Sequence, residues 1–362
     1  MDKLVCLIIA PSVFLLDERV FMSLGILKIA AVLETKGFRV EMVDLSGIEN
    51  FEEAIKAQAQ NSSAVHFGIT ATTPQMPAAA KIASAIRSVR PDAKIILGGP
   101  HITLVNAAYR KEKKNNYNGR ATRAIEILIN SFDTLVAGDG EEAIFLALGN
   151  DAHKLIDADD PQSSLFLDNN RLTTMPYPAR HLIDVDSYNY SIDGERALSL
   201  IAQLGCPFAC GFCGGRASPF LRRVRIRSTE SIVQEMVNLY KTYGVKGFMM
   251  YDDELNVNIK MVELMKAIRV AQDKFGVEWR LRGFIKSQLF TDEQAKVIYD
   301  AGFRWILVGF ESGSPKILEN INKQATREEN TRCLEIAKRH GLKVKALMSI
   351  RHPGESEETV MD

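Results

Sequence analysis

Short apolar runs recur along the first 150 residues, at Lys3–Ala10, Phe38–Asp44, Ala64–Thr70, Lys94–Gly98 and Thr134–Ala137. Between them, Leu24–Lys36, Met76–Arg90 and Glu141–Leu148 repeat apolar residues at helical spacing. Runs of four to eight β-rich residues alternating with such helices predict βαβ units and a parallel sheet with right-handed crossovers. Ligands of sheets of this kind bind at the carboxyl ends of the strands.

The pattern lapses from Asp151 to about Arg196, where Asp, Asn and Pro crowd together (Asp157-Ala-Asp-Asp-Pro161, Asp168-Asn-Asn170, Pro176-Tyr-Pro178). This stretch is expected to be a surface linker with one short hairpin. A second series follows, with strands at Ala197–Gln203, Lys246–Tyr251, Val277–Phe284, Phe303–Phe310 and Leu342–Ile350. Its helices are Thr229–Tyr243, Ile259–Phe275, Asp292–Ala301 and Arg327–His340. Ser228 or Thr229, Thr291 and Thr326 are placed to cap them, and Gly244, Gly302 and Gly341 to end them. Five βα strands fit a partial or full barrel with its chemistry on the loops after each strand. The expected organisation is thus a domain over 1–150, a linker over 151–195 and a barrel over 196–362.

Composition narrows the function classes. The 362 residues hold 45 Lys+Arg and 45 Asp+Glu, so no net charge drives binding to nucleic acid or to an anionic membrane. No apolar run reaches the roughly 18 residues a membrane span needs. Leu4–Leu16 imitates a signal-peptide core, but Asp2 offsets Lys3 and Asp17-Glu18-Arg19 follows in place of a small-residue cleavage site. Of the five cysteines, Cys206, Cys210 and Cys213 fall within eight residues. That is no disulfide framework; it indicates a reduced, cytoplasmic protein with a metal centre.

Gly205-Cys-Pro-Phe-Ala-Cys-Gly-Phe-Cys213 places a Cys-x3-Cys-x2-Cys motif directly after the first barrel strand. Three thiolates on one loop can ligate three irons of a [4Fe–4S] cluster, leaving the fourth iron open. The alternative is structural zinc, which wants a fourth Cys or His; the nearest histidines along the chain are His181 and His340. The basic run Arg222-Arg-Val-Arg-Ile-Arg227 is read as a solvated or cluster-flanking segment, not a nucleic-acid site.

On this motif the chain resembles the radical S-adenosylmethionine (SAM) superfamily, whose cysteine loop follows the first strand of a partial (β/α)6 barrel. The resemblance implies a [4Fe–4S] cluster on Cys206, Cys210 and Cys213 and SAM chelated at its open iron. Reductive cleavage of SAM would then yield a 5′-deoxyadenosyl radical. It also implies an electron donor of the flavodoxin or ferredoxin type and a small-molecule substrate. Phe212 matches the family's aromatic residue near the adenine. Tyr251-Asp-Asp-Glu254 stands at the place of its SAM-amino motif, with Asp252 and Asp253 as candidates; the alternative there is a solvated loop or a helix cap. Gly309-Phe-Glu-Ser-Gly313 matches the family's Gly-x-Glu-Ser-Gly and points to Glu311. Arg280 and Arg282 are candidates for the SAM carboxylate, surface ion pairs being the alternative.

The first domain resembles the cobalamin-binding-domain subfamily, in which a Rossmann-like domain delivers a corrinoid to the barrel mouth. The matching pieces are Leu24–Ala31, Gly68–Thr73, Gly98-Gly-Pro-His101, Gly138-Asp-Gly-Glu141 and Tyr177–Ile183. They imply cobalamin contacts at Thr70, Gly98, Gly99, His101, Gly138 and Glu141, with Thr72 and Thr73 as further hydrogen-bonding groups. The Asp-x-His-x-x-Gly loop that supplies an axial imidazole in cobalamin methyltransferases and mutases is missing, and Arg19 stands at the histidine position. His66 and His101 are the other candidate ligands, a packing contact or a contact to the corrinoid tail being the alternative. An inherited sheet that no longer binds cobalamin is the alternative reading of this domain.

Ser349-Ile-Arg-His-Pro-Gly-Glu355 departs from the subfamily's Gly-Leu-Pro-Gly-Glu, with Arg351 at the glycine. The barrel is expected to lack its last βα unit, as in a fragment of a longer protein. The fold class read here is α/β, a Rossmann-like cobalamin-binding domain followed by an incomplete radical SAM barrel. The reaction implied is methylation of an unactivated carbon. Radical cyclisation of the anaerobic magnesium-protoporphyrin ester cyclase type and a non-catalytic corrinoid- or metal-binding fragment are the alternatives.

Overall fold

The computed structural model of the chain describes residues 3–12, 14–149 and 152–362. They fall into two compact units: Met1–Leu167 with Met175–Asn189 and Ala217–Phe220, and Asp168–Thr174 with Tyr190–Arg216 and Leu221–Asp362. The boundary expected between residues 150 and 151 lies outside the described residues.

The first unit is built on six strands: β1 (Leu4–Ile9), β2 (Arg39–Asp44), β3 (His66–Thr70), β4 (Lys94–Gly98), β5 (Thr134–Gly138) and β6 (Leu155–Ala158). All pair in parallel, in the order β2-β1-β3-β4-β5-β6. Helices α1 (Leu24–Thr35), α2 (Phe51–Asn61), α3 (Met76–Val89), α4 (Pro100–Lys114), α5 (Arg120–Ser131) and α6 (Gly140–Ala147) accompany it. Every residue of β1 is buried, because alternate side chains enter different cores. Cys6 and Ile8 pack with Phe67, Ile82 and Ile95, whereas Val5, Leu7 and Ile9 pack with Ile26, Leu33 and Ile96. A parallel sheet covered on both faces explains why its strands read as continuous apolar runs. Strand order reverses between β1 and β3, which makes the carboxyl ends of these two strands the switch point where doubly wound sheets take ligands.

In the second unit, β7 (Ser191–Ile192) and β8 (Glu195–Leu200) form a hairpin across Asp193-Gly194. Both turn residues have positive φ, 49° and 85°, as a two-residue type I′ turn requires. After β8 come β9 (Gln203–Leu204) and β10 (Arg225–Ile226), paired antiparallel on either side of the cysteine loop. Strands β11 (Gly247–Met250), β12 (Arg280–Gly283), β13 (Trp305–Glu311) and β14 (Lys343–Met348) complete the series. β8, β11 and β12 pair in parallel, as do β13 and β14, and the bridges Leu281–Phe303 and Phe284–Leu307 join the two sets. This is the five-stranded arc of a partial barrel. After the short α7 (Asn169–Thr174) and α8 (Pro219–Arg222), the crossovers are α9 (Thr229–Tyr243), α10 (Met261–Phe275), α11 (Asp292–Asp300), α12 (Pro315–Asn320) and α13 (Arg327–Arg339). A last short helix is α14 (Glu357–Met361). Ser228, Thr291 and Thr326 cap α9, α11 and α13 through their side chains, and Gly244 ends α9 in the left-handed conformation.

Residues 151–195 do more than connect. Leu155–Ala158 supplies β6, whose alternation of apolar residues with Asp157 and Asp159 hides a strand among turn-forming types. Asp159 is fully buried, accepting hydrogen bonds from Ser218 Oγ (2.7 Å), Phe220 N (2.6 Å) and Arg110 Nη2 (2.5 Å).

Candidate active site

The cysteine loop is held in place by its backbone. Gly205, at φ 86°, turns the chain where a Cβ would overlap the Arg223 carbonyl. The carbonyls of Pro207, Ala209 and Gly211 accept from Arg222 Nη2 (2.6 Å), Asn322 Nδ2 (3.0 Å) and Arg216 Nη1. Gly211 N donates to Ile321 O at 2.6 Å and Cys210 Sγ lies 3.8 Å from Lys323 O, so residues 321–323 wrap the loop from the other side. Cys206 is half-buried, Cys210 buried and Cys213 exposed. Burial pushes the Cys206 thiol up to about 11, with Lys286 acting in the opposite direction. Cys6 and Cys333 are buried elsewhere, and burial raises both thiols.

Two of the four arginines in the basic run beside the loop are turned inward. Arg225 and Arg227 are buried, and Arg227 pairs with the buried Glu235 at 2.7 Å. Arg222 serves the loop carbonyls.

Of the Tyr251–Glu254 acids, Asp252 is locked into the scaffold. It is 2% exposed, and its Oδ1 accepts Ala202 N and Gln203 N, both at 2.7 Å, fixing the exit from β8 towards the cysteines. Its Oδ2 is buried with no hydrogen-bond partner among the described residues, and burial lifts the carboxyl to about 7. Asp253 accepts from Gly205 N. Glu254, which sequence reasoning passed over, feels Lys323, Lys286, Asp253 and Glu311, and burial likewise raises it to about 7. Among the described residues its Oε2 has no hydrogen-bond partner.

Glu311 ends β13 at a register shift and at φ 67°, a left-handed conformation rare for a side-chain-bearing residue. Both carboxylate oxygens are engaged, Oε1 by Lys323 Nζ at 3.1 Å and Oε2 by Ser349 Oγ at 2.8 Å. Ser349 Oγ also meets His352 Nε2 at 2.7 Å, and the His352 ring packs 5.7 Å from that of Phe212. His352 is therefore the imidazole beside the cysteine loop, while His181 pairs with Glu34 and His340 with Asp292. Lys286 Nζ stands 4.7 Å from the Phe208 ring centre and Lys323 Nζ 5.8 Å from that of Phe212. Arg282 Nη1 reaches Tyr190 Oη at 3.1 Å, and Arg280 forms a surface pair with Glu278. Arg351 is exposed and adopts φ 70°.

Among the described residues no three His, Cys, Asp or Glu side chains are grouped to hold a single metal ion. The loop offers three thiols with two buried lysines beside them, a donor set that fits an anionic iron–sulfur cluster.

In the first unit, Thr70, Gly98 and Gly138 close β3, β4 and β5, and His101 and Glu141 lie in the first turns of α4 and α6, all at the carboxyl edge. Gly99 has φ 97°, and a Cβ there would stand 2.6 Å from Thr70 Oγ1. Gly138 abuts the Ala158–Asp159 peptide, so its missing side chain is required by β6. His101 Nδ1 meets Thr73 Oγ1 at 3.0 Å, and burial lowers the pKa of this imidazole. His66 opens β3, about 13 Å from Thr70 at 3.3 Å per residue, and so lies at the opposite edge. Arg19 is held by Asp44 (3.2 Å) and Ser187 Oγ (2.6 Å) and stacks near Tyr188.

The family model of the radical SAM superfamily matches residues 200–362, and that of the B12 binding domain matches residues 18–129. The chain therefore combines a B12-binding domain with a radical SAM domain. An uncharacterised methyltransferase of Pyrococcus horikoshii is 26% identical over 81% of this chain and 61% of its own length. An anaerobic magnesium-protoporphyrin IX monomethyl ester cyclase of Rubrivivax gelatinosus is 24% identical over 92% of this chain and 59% of its own length. The chain thus spans about three-fifths of the length of these two relatives. Among solved structures, the radical SAM methyltransferase TsrM of Kitasatospora setae, with cobalamin and a [4Fe–4S] cluster bound, has the same fold. Its TM-score is 0.71 at 19% identity, covering 99% of this chain and 69% of that one.

Proposed function

We propose that this chain is the catalytic core of a cobalamin-dependent radical SAM enzyme that methylates an unactivated carbon of a small molecule. The observation that carries the reading is the backbone-clamped loop of Cys206, Cys210 and Cys213 at the carboxyl end of β8, ringed by Glu254, Glu311, Lys286 and Lys323. When bound, a [4Fe–4S] cluster supplies the electron that splits SAM into methionine and a 5′-deoxyadenosyl radical, and a corrinoid supplies a transferable methyl group.

The residues around the cluster divide the remaining work. The three thiols would hold iron. Glu254, with an oxygen that meets no donor among the described residues, is the acceptor suited to the SAM ammonium; Asp253 beside it is the second candidate, and Asp252 orients the strand exit. Glu311, held by Lys323 and Ser349, would accept from the ribose hydroxyls, with Phe212 against the adenine. Arg282 has a buried Nε with no partner among the described residues and is the candidate for the SAM carboxylate. In the first unit, Thr70, Gly99 and His101 would contact the corrinoid and Glu141 would lie beside it. With Arg19 engaged by Asp44 and Ser187, the protein would give cobalt no imidazole at that position. The electron would come from a cytoplasmic flavodoxin- or ferredoxin-type donor.

The test is anaerobic incubation of reconstituted protein with SAM, cobalamin and a strong reductant, with products read by mass spectrometry. 5′-Deoxyadenosine above a Cys206→Ala control is expected, with S-adenosylhomocysteine beside it. 5′-Deoxyadenosine without S-adenosylhomocysteine would favour radical cyclisation, the reading that similarity to the cyclase of Rubrivivax gelatinosus supports. Neither product, with the cluster intact, would overturn both.

A further inference from the structure

Lys286 is 2% exposed, and its ammonium has few partners. Nζ donates to Lys323 O at 2.9 Å, and it stands over the face of Phe208. Among the described residues no carboxylate lies within the 4.0 Å of a salt bridge to it, in contrast to Lys323, which Glu311 neutralises at 3.1 Å. Glu254 acts on it only at longer range. A buried ammonium left with one carbonyl and one ring is costly, by several kcal/mol in typical proteins. A fold retains such a group where an anion offsets it.

Among the described residues no carboxylate pairs with it directly, and the surroundings indicate which anion does. The carbonyl that anchors its Nζ is the same Lys323 O that Cys210 Sγ faces at 3.8 Å. Phe208, the ring it covers, lies between those two cysteines in the chain. The anchoring carbonyl and the aromatic contact both aim this ammonium at the cysteine loop.

We propose that Lys286 is a positioning residue for electron transfer, its buried ammonium being the fixed counter-charge that raises the reduction potential of a cluster held by the three cysteines. The proposal rests on the cluster reading above. One electron passes from an external low-potential reductant to the oxidised cluster. The added negative charge is stabilised by a nearby positive charge, and the net charge around a cluster is one of the levers that set its potential.

The experiment is an anaerobic potentiometric titration of the full chain, reconstituted with iron and sulfide and followed by electron paramagnetic resonance, for wild type, Lys286→Met and Lys286→Arg. At the potential that half-reduces the wild-type cluster, Lys286→Met should show a reduced-to-oxidised ratio at least about tenfold lower, which for one electron is about 59 mV. Lys286→Arg should stay within about twofold of wild type. A Lys286→Met ratio within that same twofold range overturns the proposal while leaving the cluster reading intact. If Lys286→Met holds no iron, the arginine variant decides: a cluster at near wild-type potential supports the counter-charge, and loss of the cluster from both variants overturns it. Absence of iron and sulfide from the wild type itself fails the cluster reading, and this inference with it, before any potential is read.

Discussion

Asp252 shows how one residue can fix a site's geometry and also weaken the fold. Its Oδ1 satisfies two buried N–H groups, while burial lifts its carboxyl from an ordinary 3.8 to about 7. A folded-state pKa above the unfolded one means that the fold prefers the protonated acid. The stabilisation is complete below the unfolded value and is lost as pH rises towards 7. Asp252→Asn keeps the Oδ1 acceptor and removes the titration. It should flatten the fall in melting temperature between about pH 4 and 7 and raise stability at neutral pH; an unchanged profile would contradict this. At this scale the sequence disclosed the residues that carry a local motif, namely Cys206, Cys210, Cys213, Phe212 and Glu311. Glu254, Lys286, Lys323, Ser349 and His352 were not visible as a set, because a bulge at Glu311 and the turn at 321–323 bring them together from four separate loops. Arg351 was legible as a departure, and its left-handed backbone is the physical trace of the glycine position it occupies.

At the scale of elements, the Gly98-Gly99-Pro100 corner joins β4 to α4. Gly99 there combines a left-handed φ of 97° with close approach to Thr70 Oγ1 and to Ala71 N at 2.9 Å. Gly99→Ala should cost about 2 kcal/mol or more in denaturant unfolding, through backbone strain and the displacement of β3's end, and should weaken corrinoid binding in parallel. Full stability in this variant would show that the corner is not under constraint. Elements with strong periodicity and caps were legible from the sequence: α9 runs from Thr229 to Tyr243, as its Ser228 cap and Gly244 stop predict. Others were hidden. α5 carries no side-chain cap, and its start is instead anchored by the buried Glu112, which takes the N–H groups of Gly119, Ala121 and Thr122. That anchor is a contact from the preceding helix, which no local pattern announces.

At the scale of the whole chain, alternation of strands and helices was enough to expect two parallel α/β bodies, and the sheet order with its β1/β3 switch point follows from folding rather than from periodicity. No helix among the described residues is long and apolar enough to cross a membrane. The central claim is that the three-cysteine loop holds a cluster and not a single ion. The measurement that tests it most directly is iron, acid-labile sulfide and zinc analysis of the anaerobically reconstituted chain beside Cys206→Ala. The account predicts about four irons and four sulfides per chain, lost in the variant. About one zinc per chain with no sulfide would contradict it.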